Sequence, residues 1–277
     1  MAEAMTRRRL DAELARRGLA NSREHAQGLI AEGSVAVKGV VAVKAATMVD
    51  DADAIEISAS AERFVSRGAL KLIGALEAFA GLNLVGRRAL DAGASTGGFT
   101  EVLLGRGVDR VLAVDVGYGQ LAWALRQDPR VDVLERTNVR YLQAEALPWI
   151  PDLVVADLSF ISLRLVIPAL VACSAQATDF ILMVKPQFEV GREQVADGVV
   201  RDTALRRRAV ASIADASVSA GLRIRGVTAS PLPGPSGNVE YFLWSSKSGH
   251  EGGVGPDSTS REMVGTWIDR AIEQGPA

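Results

Sequence analysis

The sequence predicts an α/β protein: a Rossmann-like domain with a seven-stranded, mostly parallel β-sheet, preceded by a small α+β domain. Three observations lead to this prediction. After about residue 66, apolar strand-like runs alternate with helical segments, which is typical of βα units that build a parallel sheet. The first of these runs ends in a glycine-rich turn. The amino-terminal residues differ from the rest because they are rich in arginine.

Composition limits the classes of function open to the chain. The formal net charge is -2 over 277 residues, so nucleic acid must be bound by local basic patches and not by the charge of the whole molecule. A single cysteine excludes an internal disulfide, and two histidines leave little for a histidine-based metal site or catalytic triad. We find no secretory signal and no apolar run long enough to cross a membrane. We therefore expect a cytoplasmic protein with no membrane span and no metal.

Residues 1–58 are predicted to form an RNA-binding domain. Leucines at near-helical spacing lie among the arginines of residues 7–23, a second helix ends at Gly33, and Lys38-Gly39 breaks alternating segments as a hairpin does. Basic side chains on one face would contact RNA phosphates, which gives affinity without sequence specificity. The alternative is an ordinary charged helix surface in water. The residues expected to contact RNA are Arg8, Arg9, Arg17, Arg23, Lys38 and Lys44.

Residues 59–66 are predicted to be a linker, and residues 67–246 a second domain. Its strand-like runs are RRALDAG, RVLAVDVG, RVDVLE, PDLVVADLS, DFILMVKP, LRIRGVTASP and VEYFLWS. Helices are predicted over 97–106, 119–127, 162–173 and 203–220. Residues 247–277 are predicted to be a flexible glycine- and serine-rich loop followed by a short helix at about 260–274.

The turn GASTGG after the first strand-like run is the predicted cofactor site. It lacks both the Lys-Ser/Thr pair of a phosphate-binding loop and the G-x-G-x-x-G spacing of a dinucleotide loop. S-adenosyl-L-methionine fits better, because it carries no phosphate and its amino-acid end needs backbone donors and acceptors. Asp91 would meet its ammonium group, Asp115 both ribose hydroxyls, and Asn138 the adenine. The turn residues expected at the cofactor are Gly93, Ala94, Ser95, Thr96, Gly97, Gly98 and Phe99.

Four charged residues are the candidates for catalysis. Asp157 and Lys185 follow the fourth and fifth strand-like runs, which places them at the ligand edge of the sheet. A lysine after an apolar strand is unusual, because burying an unpaired ammonium is costly. The alternative for this lysine is to extend outward into solvent. Lys71 precedes the first strand, and Glu240 begins the last one.

These motifs resemble known families. The pattern RLD..L...GL..SR..A..LI..G.V.VKG, within residues 7–58, resembles the RNA-binding domain named after ribosomal small-subunit protein four. The order Lys71, Asp157, Lys185, Glu240, with the GASTGGF turn, resembles the FtsJ-like ribose 2′-O-methyltransferases. Together with DVGYGQLAW, DLSFISL, VKPQFE and SPLPGPSGNVEYF, the chain resembles the TlyA family, whose members are also called hemolysins, to about residue 246.

The resemblance implies a class I methyltransferase domain and an enzyme that methylates the ribose 2′-oxygen of cytidines in ribosomal RNA of one or both subunits. The hydroxyl must lose its proton as it attacks the methyl group. Lys185 is the expected base, its pKa lowered by neighbouring Lys71, with Asp157 and Glu240 orienting the two ammonium groups.

Two other functions remain open at this point. A pore-forming hemolysin predicts a secretion signal or a membrane-active segment, and neither is evident in the sequence. The complete set of four catalytic candidates argues against the third function, an RNA-binding module without activity. The sequence marks no oligomer interface, so it predicts no oligomeric state.

Overall fold

The computed structural model describes residues 7–20, 22–31, 33–57, 64–195, 197–247 and 260–276. The predicted linker lies outside the described residues up to residue 63, and the predicted glycine- and serine-rich loop lies outside them from residue 248 to residue 259. The predicted domain boundaries therefore stay predictions.

The amino-terminal domain packs two helices against short antiparallel strands. Helices α1 (Leu10–Arg16) and α2 (Arg23–Ala31) bury the leucines that the sequence places at helical spacing. The predicted hairpin turn at Lys38-Gly39 is confirmed, with φ of 52 and 76 at its two residues. β2 pairs with β3 and β5, and β1 pairs with β4. The strands are β1 (Arg8–Arg9), β2 (Val35–Val37), β3 (Val40–Val41), β4 (Met48–Val49) and β5 (Ile55–Ile57).

The second domain is built on one seven-stranded sheet, as the sequence predicts. Its strand order is β11-β12-β10-β9-β6-β7-β8. β12 runs antiparallel to β10 and β11, and the other neighbouring strands are parallel. The strands are β6 (Arg88–Ala92), β7 (Arg110–Val114), β8 (Val131–Leu134), β9 (Leu153–Ala156), β10 (Asp179–Val184), β11 (Leu222–Ala229) and β12 (Tyr241–Lys247).

Two of the predicted helices are shorter in the structure. The helix predicted over 119–127 is confined to its last part, because Gly119 has φ 72 and Ala122 is not helical. The helix predicted over 162–173 begins at residue 167, where Pro168 occupies the first turn and its missing N–H costs nothing. The helices are α3 (Gly68–Ala78), α4 (Gly98–Gly105), α5 (Trp123–Arg126), α6 (Ile167–Ala172), α7 (Pro186–Glu189), α8 (Thr203–Ser219) and α9 (Arg261–Gln274).

Both faces of the sheet are covered. Along β6, Leu90 packs into the core on one face and Ala89 into the core on the other, because successive side chains of a strand alternate between faces. From β6, the chain continues to β7 and β8 on one side, and it then crosses back to β9 on the other side of β6. The order of the strands therefore reverses between β6 and β9. With both faces covered, the carboxyl ends of these strands are where a ligand can enter.

Candidate active site

Two adjoining cavities lie at the carboxyl ends of β6 and β9. The smaller has a volume of about 160 Å³ and is lined in part by charged side chains. The larger has a volume of about 680 Å³ and extends past the ends of β7 and β8. The residues that line both are Ala31, Gly93, Ser95, Asp157 and Ser159. The two cavities therefore form one site at the switch point of the sheet.

The glycine-rich turn is tightly packed between β6 and α4. Gly93 has φ 87, and a Cβ there would overlap the carbonyl oxygen of Asp157, so glycine is required where the two loops meet. Gly97, which precedes α4, has φ 102, and a Cβ there would overlap the side chain of Leu125. The Gly97 amide donates to the carbonyl of Ala94 at 2.7 Å. Close packing on two sides thus fixes the backbone of the turn.

The turn residues divide into those that face the smaller cavity and those that do not. Thr96 is directed at α2, where it approaches Gly28, and Gly97 is directed at α5. Phe99 lines the cavity and also packs against Phe242, with ring centroids 6.2 Å apart, so its ring is part of the core as well. The turn residues that line this cavity are Gly93, Ala94, Ser95, Gly98 and Phe99.

Asp115 and Asn138 line the larger cavity, as expected of residues that follow β7 and β8. The carboxylate of Asp115 accepts the backbone N–H of Ser95 at 2.9 Å and that of Gly117 at 2.6 Å, so it anchors the turn. Its oxygens have further lone pairs with which to accept ribose hydroxyls. Asn138 Oδ1 accepts the backbone N–H of Arg140 at 3.0 Å, which fixes the orientation of this side chain.

Asp91 differs from its predicted position. It lies inside β6, with Ala92 after it, and it is absent from the lining of both cavities among the described residues. One carboxylate oxygen accepts the Thr100 hydroxyl at 2.7 Å, and the other is buried with no hydrogen-bond partner in the part of the chain that the structure describes. Burial raises the pKa of Asp91 to about 7, because desolvation disfavours the charged form. A nearby cation would offset that cost.

The four catalytic candidates meet as two ion pairs. Lys71 Nζ lies 2.7 Å from Glu240 Oε2, and Lys185 Nζ lies 2.5 Å from Asp157 Oδ1. Lys71 comes from α3, and the other three adjoin the ends of β9, β10 and β12. Lys71, Asp157 and Lys185 line the smaller cavity beside Gly93. Glu240 is 1% exposed and pairs with Lys71.

The expected lowering of the pKa of Lys185 is wrong for this arrangement. Burial acts to lower the pKa of Lys185, but the negative charges of Asp157 and Glu240 outweigh burial, so the pKa is raised. Burial acts to raise the pKa of Asp157, but the positive charges of Lys185 and Lys71 outweigh it, so that pKa is lowered. The physical reason is that each ammonium is paired with a carboxylate.

Several residues that were not among the predicted ones also line the site, and three of them are notable. Ser159 Oγ accepts a hydrogen bond from Lys185 Nζ at 3.0 Å and lines both cavities. Phe160 is 91% exposed at the larger cavity and has φ 64, which is a strained backbone for a bulky residue. The available signal was the motif DLSF, which places a hydroxyl and an aromatic ring directly after a strand-end acid. Ala31 carried no comparable signal.

The amino-terminal domain forms one wall of the site. α2 passes so near the turn that a Cβ on Gly28 would lie 2.8 Å from Thr96 Cγ2. Ala31, at the end of α2, lines both cavities. Arg67 Nη1 donates to the carbonyl of Gly33 at 2.5 Å, which ties the start of the second domain to the first. The two domains therefore meet at the glycine-rich turn.

The basic residues predicted to contact RNA are mostly engaged within their own domain. Arg9 and Arg23 bind the fully buried carboxylate of Asp11, at 3.0 Å and 3.1 Å. Arg17 is 21% exposed; it binds Glu13 and donates to backbone carbonyls of the turn after β4, so its guanidinium serves the packing of the domain. The other pairs are Arg8 with Asp51 and Lys38 with Asp53, while Lys44 is exposed. RNA contact by these residues stays a prediction.

The described residues contain no group of three or more His, Cys, Asp or Glu side chains placed to hold a metal ion. None of the helices among them combines the length and the apolar character that crossing a bilayer requires.

Comparisons with known proteins agree with this architecture. The family model of FtsJ-like methyltransferases matches residues 64–247, and the S4 domain matches residues 8–55. The chain is 56% identical to the 16S/23S rRNA (cytidine-2′-O)-methyltransferase TlyA of Mycobacterium tuberculosis, over 98% of this chain and 99% of that protein. It is 36% identical to Hemolysin A of Brachyspira hyodysenteriae, over 84% of this chain and 98% of that protein.

A solved structure from Streptococcus thermophilus, named as a hemolysin, covers 98% of each chain with a TM-score of 0.72 and 34% identity. The hemolysin and methyltransferase names thus fall on relatives of one kind. The fold, both domain matches and the identity along nearly the whole chain lead to one conclusion: the chain belongs to the TlyA family of FtsJ-like methyltransferases, with an S4 domain at its amino-terminal side.

Proposed function

We propose that the protein transfers a methyl group from S-adenosyl-L-methionine to the ribose 2′-hydroxyl of cytidines in ribosomal RNA. The observation that carries this proposal is the convergence of two lysine–carboxylate pairs on a cavity that begins at the glycine turn. The names of the relatives from Mycobacterium tuberculosis and Campylobacter jejuni, both rRNA (cytidine-2′-O)-methyltransferases, support the same substrate. Because ribosomes lie in the cytoplasm, we place the reaction there, with ribosomal subunits as partners.

The residues at the turn fit a cationic, phosphate-free cofactor. A cationic ligand bound near the turn would stabilise the charged form of Asp91, one of whose oxygens is buried without a hydrogen-bond partner among the described residues. The turn itself has no lysine or arginine of the kind that a phosphate-binding loop carries, and the two lysines that line the smaller cavity are each paired with a carboxylate. Asp115 and Asn138 are placed along the larger cavity for the ribose and the adenine. These residues would hold S-adenosyl-L-methionine, which supplies an electrophilic methyl group on a sulfonium.

The two ion pairs suit the acceptor. The 2′-oxygen forms a bond to the methyl carbon as the carbon–sulfur bond breaks, and the hydroxyl proton must leave. Lys71, held by Glu240, donates a hydrogen bond to this oxygen. Lys185 accepts the proton in its neutral form. A second cation in the cavity increases the population of that neutral form, because like charges disfavour one another. Asp157 and Ser159 hold Lys185 in line with the acceptor, and alignment supplies most of the acceleration.

Incubation with tritiated S-adenosyl-L-methionine and ribosomal subunits tests the proposal. Wild-type protein should place label on rRNA in a product that resists alkaline hydrolysis, because alkaline cleavage needs an unmodified 2′-hydroxyl. Lys185→Ala should lower the rate by about 100-fold or more, which is the usual contribution of acid–base catalysis. Lys247→Ala is the matched control. This lysine ends β12 at the end of the strands that lies away from Lys185, where its Nζ donates to the carbonyl of Ser174.

The outcomes separate the alternatives. Label that persists in Lys185→Ala removes Lys185 from the role of base, and alkali-labile label contradicts ribose methylation. Absence of label on any RNA contradicts the proposed function. Lysis of erythrocytes by both the wild type and Lys185→Ala would instead support a hemolysin, because pore formation does not need the catalytic lysine.

A further inference from the structure

The buried carboxylate of Glu189 joins two loops of the active site. Its Oε2 accepts the hydroxyl of Ser162 at 2.5 Å, and its Oε1 accepts the backbone N–H of Leu163 at 2.8 Å. Arg164 adds two contacts: its Nη2 donates to the backbone carbonyl of Glu189 at 3.0 Å, and its Nε lies 3.9 Å from Oε2. Glu189 is 6% exposed and does not line either cavity. It therefore contacts the loop and not the space for the substrates.

The loop that Glu189 holds is the one that begins at Asp157. Near β9, this loop is tied to Lys185 by the ion pair of Asp157 and by the hydrogen bond of Ser159. Near α6, it is tied to Glu189, which follows Lys185 by one turn of α7. The loop and α7 are thus joined at both ends. Release of one end would let the partners of Lys185 move away from its ammonium.

Strain in the middle of the loop makes both ties necessary. Phe160 has φ 64, and a bulky residue in this region is strained, a conformation that persists only where the surroundings enforce it. Phe160 is 91% exposed, and its ring makes a tilted contact with that of Phe188, at 5.2 Å between centroids. The ties at Ser159 and Ser162 flank this residue. Without Glu189, the loop would relax toward an unstrained backbone.

A carboxylate at this position is a cost to the fold. Burial acts to raise the pKa of Glu189 and outweighs the hydrogen bonds from Ser162 and Leu163, which act to lower it. Even a buried ion pair is weak evidence for a stabilising role. The hydrogen bonds that Glu189 makes to the loop therefore give the better account of its role.

We propose that Glu189 is a positioning residue for methyl transfer: through Ser162 and Leu163, it keeps Asp157 and Ser159 at their distances from Lys185. This inference rests on the proposed function, because it assigns Glu189 to the same reaction. It concerns the rate of transfer, and it leaves binding of cofactor and RNA to other residues.

Single-turnover methyl transfer at saturating cofactor and RNA tests it in the full-length protein. Glu189→Ala should lower the rate about 10- to 100-fold, since displacement of a catalytic group by about 1 Å costs up to about 100-fold. The rate of Glu189→Gln should lie between the rates of the wild type and Glu189→Ala, because its amide keeps one acceptor oxygen for two donors. Ser162→Ala should lower the rate in the same direction. The double variant should be no slower than Glu189→Ala, because the two side chains act through one bond.

The matched control is Asp179→Asn. Asp179 is a buried acid at the opposite end of β10, where it accepts hydrogen bonds from Trp244 Nε1 at 2.9 Å and from Arg87 at 3.2 Å. This variant should lower the melting temperature without changing the rate. For the variants of Glu189 and Ser162, cofactor affinity measured by calorimetry should stay within about twofold of the wild type.

Several results would overturn the inference. Methyl transfer at the wild-type rate by both Glu189→Gln and Ser162→Ala would contradict it. Neither variant removes enough packing to prevent folding. An equal loss of rate in Asp179→Asn would assign the effect to stability, and a loss of cofactor affinity that matches the loss of rate would assign it to binding. Wild-type protein that labels no rRNA would remove the proposed function itself, a result distinct from active wild type with unaffected variants.

Discussion

Replacement of Gly97 by alanine tests whether the cofactor turn is held by backbone conformation and close packing. With φ 102, an alanine here enters a region that costs an L-residue about 1–2 kcal/mol. Its Cβ would also overlap Leu125 and come within 2.8 Å of Leu121 Cδ1. Overpacking of this kind costs about 1–3 kcal/mol. We expect Gly97→Ala to lower the free energy of unfolding by about 2–5 kcal/mol.

Gly105→Ala provides the comparison within the same helix. Gly105 ends α4, is exposed, and has no atom within 4 Å of the position that a Cβ would take. Alanine should therefore stabilise the domain by about 0.5–1 kcal/mol, because glycine loses more backbone entropy on folding. Urea unfolding followed by tryptophan fluorescence measures both changes. Calorimetry with S-adenosyl-L-methionine should show weaker binding for Gly97→Ala and unchanged binding for Gly105→Ala.

A change of stability in the same direction for both variants would contradict this account of the turn. So would a Gly97→Ala variant that stays within about 0.5 kcal/mol of the wild type, the range of ordinary surface substitutions. Unchanged cofactor affinity in a strongly destabilised Gly97→Ala would separate the conformation of the turn from binding. That result would remove the turn from the proposed cofactor site.

Three other predictions concern the charges and the domain contact at the site. Asp157→Asn removes a charge that raises the pKa of Lys185, so the rising limb of the pH–rate profile should move to lower pH. A rising limb that stays in place or moves to higher pH would contradict the pairing of Asp157 with Lys185. Asp91, with a pKa raised from 3.8 to about 7, stabilises the fold below its unfolded-state pKa and loses that contribution as pH rises through about 7. Asp91→Asn should therefore be more stable than the wild type above this pH, by up to about 4 kcal/mol, and melting curves across pH that coincide would contradict this. Gly28→Val should push α2 away from Thr96 and weaken cofactor binding in calorimetry, whereas equal affinity would show that the domain contact is dispensable.

Much of the fold follows from local patterns in the sequence. The seven strand runs and the hairpin at Lys38-Gly39 are recognisable because side-chain alternation and turn-forming residues act over a few positions. The helix predicted over 119–127 was too long, since the positive φ of Gly119 and the anchoring of Gly117 by Asp115 hold this segment as a loop. Local pattern alone could not show that hydrogen bond between a strand end and the next turn.

The sequence by itself determined which residues are the candidates for the chemistry: acids and lysines at strand ends and a turn of small residues, which a parallel sheet places at its ligand-binding end. How these side chains pair was decided only by the tertiary structure. Lys71 and Glu240 are 169 positions apart, yet they form one ion pair. The pKa of Lys185 is raised and that of Asp157 is lowered because the two charges meet in space. The same holds for the wall that Ala31 contributes and for the tie from Glu189 to Ser162, because each requires two separately folded segments to meet.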